Sequence, residues 1–328
     1  MRDQIYYFLQ IGGAYFVLCL LPILLFMLWR VLTSFFVDSR EQFWERFAII
    51  GRFTLMLVAW FFTFSFSLML INWLAGAPTD RIVRASDGAA ALDRQIFGVD
   101  VPFWLQQSNN PWKSFFDAIG PLTIAVYKGL GILIGLTACV TLMTKFSVFL
   151  RFGIGFLLAI IISLPVWYAF PAIIPMERYL ENTSGAPIPM PTQTALNQYA
   201  PSPALHEFIG EVREVQSGGT QGVTTMPSMH VAWALIASFC LFQLWKPTLI
   251  LTVPYNILNM LATVYTLEHY AIDIFGGIVV AVTVLWLTNR FVTPAPHKKQ
   301  LTDLMHETVQ SIVPTLKELA FQFSKSKR

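Results

Sequence analysis

Seven long apolar runs, separated by short polar stretches, set the pattern of this chain: residues 11–32, 52–75, 119–143, 152–175, 229–245, 247–267 and 270–292. A helix needs about 20 mostly apolar residues to cross a hydrocarbon core of ~30 Å, and each run meets or approaches that length. In lipid only helices and closed barrels satisfy their own backbone. The pattern therefore predicts an all-α fold, a polytopic membrane helical bundle of about seven transmembrane helices. The run at 229–245 is short, and Pro165 and Pro254 are expected to kink their helices.

The stretches between the runs predict smaller elements. Over residues 37–50, Phe43, Phe47 and Ile50 recur at helical spacing with Arg40 and Glu41 off that face, the mark of an interfacial helix. In the 76–118 loop a helix is expected to begin at Ser86 or Asp87, with Leu92 and Ile96 on one side. Trp104, Trp112, Phe115 and Phe116 then fit an aromatic belt resting on headgroups. The 176–226 loop is rich in Pro, Gly, Ser and Thr and reads as irregular backbone roofing the segment that follows. Residues 301–323 repeat apolar positions at helical spacing and predict an amphipathic surface helix before the basic tail of Lys325, Lys327 and Arg328. The expected organisation is an N-terminal span and interfacial helix over 1–50, a helical core over 51–292 and a polar tail over 293–328.

Composition sharpens the membrane reading. The chain is 55% hydrophobic and only 12% charged, against roughly 25% charged residues in a soluble domain. A net charge of +3 gives no reason to expect nucleic acid as a partner, and the basic residues serve better as topology signals. Arg30, Arg40, Arg46, Lys145, Arg151, Lys246 and the C-terminal lysines fall on one side of the seven spans, which the positive-inside rule makes cytoplasmic. The 76–118 and 176–228 loops and the turn at 268–270 then face the extracytoplasmic side of a plasma or inner membrane. The early apolar run has no small-residue cleavage site after it and reads as a retained helix. Cys19, Cys139 and Cys240 each lie inside an apolar run and read as small hydrophobes.

Ionisable residues at the mouths of membrane spans call for a reason. His269 and Asp273 are spaced i, i+4 at the start of one run, which puts both side chains on one helix face. The carboxylate can fix one ring nitrogen and leave the other free as a nucleophile. His230 opens another run and can protonate a leaving alkoxide. The two spans between His230 and His269 return the chain to the same membrane surface. Pro227 suits a first helical turn that Thr224 or Thr225 caps, and free amides there, with Ser228 beside them, favour a phosphate. A cation to hold that phosphate is still needed, and Arg178, Lys128 and Arg213 compete for the role. Zinc is a rival reading of His230, Glu268, His269 and Asp273, but adjacent Glu268 and His269 diverge on a helix and no His-Glu-x-x-His run is present. The expected cofactor and metal sets are therefore empty. A non-enzymatic transporter or scaffold is the other rival, and predicts that His269→Ala changes nothing.

The segments Pro227-Ser228-Met229-His230 and His269-x3-Asp273 resemble two signature motifs of the type-2 phosphatidic acid phosphatase superfamily. Residues 264–277, with His269, Tyr270 and Asp273 ahead of Gly276 and Gly277, are closer to its inositol phosphorylceramide synthase-like branch. Residues 92–100, Trp104 to Gln106, and Phe170, Pro171 and Pro175 also look like bacterial members of that branch. The resemblance implies a six-helix core preceded by one N-terminal helix, and a metal-independent reaction. His269 would carry the phosphoryl group, Asp273 would orient it, and His230 would act as acid and then base. A lipid phosphate or phospholipid would be the donor, and water or an alcohol the acceptor. The chain departs from the superfamily pattern at Met229, where many members have Gly, and at Ala262-Thr263, where a Ser-Arg pair is usual. The usual first motif, Lys followed seven residues later by Arg-Pro, is not found.

Overall fold

The computed structural model describes residues 79–292, apart from 183 and 217–224, together with Leu28. The first two predicted spans, the interfacial helix at 37–50 and the amphipathic tail helix lie outside the described residues. Within them the fold is helical: α1 (Thr79–Phe97), α2 (Val101–Trp104), α3 (Lys113–Lys128), α4 (Leu130–Thr144), α5 (Phe146–Ala169), a π turn (Met176–Leu180), α6 (Met190–Leu196), α7 (Pro203–Gln216), α8 (Met229–Leu244), α9 (Leu249–Tyr265) and α10 (Ala271–Phe291).

Three of the described helical stretches are long and apolar enough to cross a membrane: Ser147–Ala169, Lys246–Tyr265 and Ala271–Phe291. A fourth span is available if α3 and the start of α4, bent by 41° at Gly129, are taken together. Helix α8 is equally apolar but shorter. The run expected at 119–143 is thus two helices, and α5 ends at Ala169 rather than 175. Pro165 and Pro254 lie inside α5 and α9 without ending them, as neighbouring helices in a bundle permit.

Helix α8 sits in the middle, packed against α4, α5, α9 and α10. Ala232, Ala234 and Ala237 are fully buried along it, and small residues of this kind let helix backbones approach closely. Around them Phe152, Phe156, Ile160, Trp167, Ile236, Val280 and Val284 form one apolar core. Phe156 and Trp233 stack with ring centroids 4.3 Å apart. A second core, built on Phe103, Leu105, Met176, Tyr179, Leu205, Phe208, Tyr265 and Tyr270, joins the ends of α3, α9 and α10 to a flanking layer of α1, α2, α6, α7 and the π turn.

Two sequence expectations fail in this flanking layer. Helix α1 starts at Thr79, a full two turns before Ser86. Ser86 looks like a helix cap but sits mid-helix, donating to Ile82 O at 2.8 Å and accepting from the Ile173 amide at 3.0 Å. The 176–226 segment is not irregular throughout, because its prolines start helices as well as break them. Pro203 opens α7, and Ser202 Oγ accepts from the Leu205 amide at 3.2 Å as its cap. Leu205, Phe208 and Ile209 then bury a core face of their own.

Candidate active site

The turn from α9 to α10 brings the candidate residues together. Helix α9 ends at Tyr265, and Leu267 takes φ +62° with its side chain buried. This left-handed conformation reverses the chain at a position where glycine is the usual choice. The His269 amide returns to Thr263 O at 3.0 Å, and Leu267 O accepts from the Met176 amide at 3.1 Å. His269 therefore faces back over the end of α9 as α10 begins. One turn along, Asp273 Oδ2 lies 3.3 Å from His269 Nδ1 and accepts from the Tyr270 amide at 2.9 Å. With Nδ1 engaged, Nε2 is the nitrogen left for chemistry.

His230 reaches the same place from α8. Its ring lies edge-on to that of His269, with centroids 5.7 Å apart. On the other side it stacks on Tyr127 of α3, with centroids 4.4 Å apart and planes inclined by 19°. Phe208 of α7 backs Tyr127 edge-on at 5.8 Å. The Asn259 amide donates to His230 O at 3.2 Å and fixes the backbone beneath the ring.

Backbone contact locks α8 to the start of α10. The Ser228 amide donates to Asp273 O at 3.1 Å. A Cβ at Gly277 would lie 2.6 Å from Ser228 O, and one at Gly276 would lie 3.0 Å from Pro227 Cβ. The two glycines let α10 lie directly against the 226–231 segment. Ser228, expected as a phosphate contact, is buried and caps α8 by accepting from the Val231 amide at 3.5 Å. It takes the place expected of Thr225 or Thr224. Thr225 is buried before the cap, and Thr224 lies outside the described residues.

The three candidate cations are each held by an acid. Arg178, fully buried in the π turn, pairs with Asp87 at 3.0 Å and also donates to Pro187 O at 3.2 Å. Arg213 pairs with Glu181 at 2.7 Å, and Lys128 pairs with Glu211 while its ammonium lies 5.6 Å from the Phe208 ring centroid. Lys128 sits at the end of α3, half exposed, rather than inside the bundle. Beside His269, burial pushes the Glu268 carboxyl up to about 8, and the charge of Glu177 adds to the rise. Among the described residues no group of three or more His, Cys, Asp or Glu is arranged to hold a metal ion.

Two further side chains bear on this turn, and the sequence singled out neither by itself, although Asp93 falls in the 92–100 stretch that resembles the synthase-like branch. Tyr127 was one apolar-run residue among many, and only its stacking on His230 marks it. Asp93 of α1 is fully buried, and its carboxylate accepts from the Ala271 and Ile272 amides at 2.9 and 2.8 Å. Its neighbour Arg94 pairs with Asp100 at 2.6 Å and donates to Thr192 at 2.9 Å, tying α1 to α6.

No curated protein and no solved structure matches the chain. A family model described as the PAP2 superfamily matches residues 90–287, a span holding His230, His269 and Asp273.

Proposed function

The chain belongs to the PAP2 superfamily, and from that premise we propose that it is an integral membrane enzyme acting on a lipid phosphate or phosphodiester through a phosphohistidine. Membership supports a lipid phosphatase-type function. The observation that carries the finer reading is the pair of imidazoles with ring centroids 5.7 Å apart, one of them buried with its Nδ1 3.3 Å from a carboxylate.

In this reading His269 Nε2 attacks phosphorus, a P–N bond forms and the P–O bond to the leaving group breaks. Asp273 holds the ring through Nδ1 and favours the cation that develops on it. His230 gives its proton to the departing oxygen. In the second half His230 takes a proton from the acceptor hydroxyl, whose oxygen attacks phosphorus as the P–N bond breaks. Water as acceptor releases free phosphate or a phosphorylated headgroup. A lipid or polyol hydroxyl gives a new phosphodiester, the outcome the resemblance of residues 264–277 to the synthase-like branch favours. Arg178, Lys128 and Arg213 remain the candidates for the phosphate charge, and each would have to exchange its acid for substrate. The wider reading keeps seven spans, a six-helix core with the site on the extracytoplasmic side, and a cytoplasmic tail.

Purified protein in detergent, given a panel of labelled lipid phosphates and phosphodiesters with and without alcohols, tests the proposal. Turnover with a phosphoenzyme trapped on His269, and loss of both in His269→Ala, is the expected result. Free phosphate would mark a phosphatase, and an alcohol-dependent new lipid a transferase. Full turnover in His269→Ala would overturn the mechanism.

A further inference from the structure

Helix α1 carries none of the groups assigned to the reaction, yet it packs against α10 and places one carboxylate at its start. Asp93 Oδ2 accepts from the Ala271 amide at 2.9 Å, and Oδ1 accepts from the Ile272 amide at 2.8 Å. These are the first two amides of α10, donors without partners inside their own helix. Asp273 takes the Tyr270 amide and Thr263 O takes that of His269. Four successive amides, 269 to 272, are thus each pinned to a named oxygen, two of them by Asp93.

The clamp is costly. Burial pushes the Asp93 carboxyl up to about 7, against the two amide bonds, and the charges of Asp273 and Asp100 raise it further. A Ser or Asn in this place would satisfy an amide without burying a charge. Only a carboxylate offers two acceptor oxygens to two adjacent amides with no hydrogen of its own facing them. The arrangement therefore serves geometry at the expense of stability, and the geometry it serves is the segment bearing His269 and Asp273.

We propose that Asp93 is a positioning residue for the nucleophile: by holding the Ala271 and Ile272 amides it fixes where α10 starts, and with it the setting of His269 against Asp273 and His230. This rests on the reaction proposed for His269. Misplacing a reacting group by about 1 Å costs on the order of 100-fold in rate.

The experiment compares full-length wild type, Asp93→Asn and His269→Ala in detergent, with kcat and KM measured per folded protein as judged by monodisperse elution and Tm. The expected result for Asp93→Asn is a kcat about 10- to 100-fold lower with KM nearly unchanged. An unchanged kcat per folded protein would overturn the inference while wild-type turnover left the proposed reaction standing. Absence of any wild-type turnover would instead remove the reaction on which the inference rests, and overturn both. Should Asp93→Asn not fold, hydrogen exchange on the wild type decides. Slow exchange of the 269–274 peptide supports the clamp, and exchange as fast as at the exposed 245–248 turn overturns it.

Discussion

The bundle around α8 and the flanking layer of α1, α6, α7 and the π turn hold their helices by opposite means. In the bundle, small residues and interlocking rings fill the space, and buried side-chain bonds link helices that follow one another in the chain: Asn256 of α9 donates to Ser238 of α8 and to Thr252 O, both at 2.6 Å. In the flanking layer, long-range polar pairs do the joining: Asp93 to α10, Arg178 to Asp87, Arg94 to Thr192, and Tyr179 Oη to Asp87 at 3.1 Å. Packing in lipid is only weakly directional, whereas a hydrogen bond to a particular amide specifies a position. The histidines sit at the seam, with their helices supplied by the bundle and their register supplied by the polar layer.

The strongest way to break this comparison is at the seam itself. Gly277→Val places side-chain atoms where Ser228 O already lies, and should cost about 3 kcal/mol or more by overpacking. The expected outcome is loss of folded protein in detergent, read by elution profile and Tm.

Next come paired deletions, one in each region. Arg178→Ala leaves Asp87 without its buried partner and should destabilise by about 3 kcal/mol. Ile236→Ala, in the bundle, should cost about 2–5 kcal/mol through the cavity it leaves. The two losses are similar in Tm but differ in salvage. Arg178→Lys should recover part of the first, and Ile236→Val most of the second. Equal recovery by residues that keep volume but not charge at 178 would erase the distinction between the regions.

A pH-dependent effect follows from Glu268. Burial lifts its folded pKa to about 8, above the ordinary 4.5, so the folded state keeps a proton that the unfolded chain releases. Its contribution is fully present below about pH 4.5 and is lost as pH rises through about 8. Wild-type stability should therefore fall across that window more steeply than that of Glu268→Gln. Coincident Tm–pH curves would show that this carboxyl is not held neutral. Smallest of all is Lys128→Ala. Its pair with Glu211 is about half exposed on both sides, so stability should change by less than about 1 kcal/mol. A large fall in kcat/KM with Tm unchanged would instead point to Lys128 as the phosphate cation.

What the sequence made legible was local. The spacing of His269 and Asp273 pointed to one helix face; the two do lie together, but His269 precedes α10, and the turn capped at Tyr270 rather than a helix face brings its ring to Asp273. The apolar runs gave α8, α9 and α10 to within two residues, but placed α5 six residues late at each end, missed the break at Gly129, and did not cover α1, α2, α6 or α7. Ser86 and Pro203 misled because a hydroxyl and a proline have more than one use, and the choice depended on Ile173 and Leu205, which tertiary structure brings near. The partners of the cations, and the bond from Asp93 to residues nearly 180 positions away, have no periodicity to betray them. Gly276 and Gly277 were visible as small residues, but only the approach of Ser228 explains why they must be small.

The contact of Gly276 and Gly277 with the 227–231 segment has a consequence for how the enzyme meets membranes of different thickness. Helix α8 has 16 residues, about 24 Å of helix, against a hydrocarbon core of ~30 Å. In the seven-span reading proposed above, where α8 crosses the membrane, such a mismatch is relieved by tilt or by local thinning of the bilayer. Because α10 is seated on the start of α8 by backbone contact, a tilt of one carries the other with it. Lipid composition can then change the inclination of the two imidazoles while their separation stays the same.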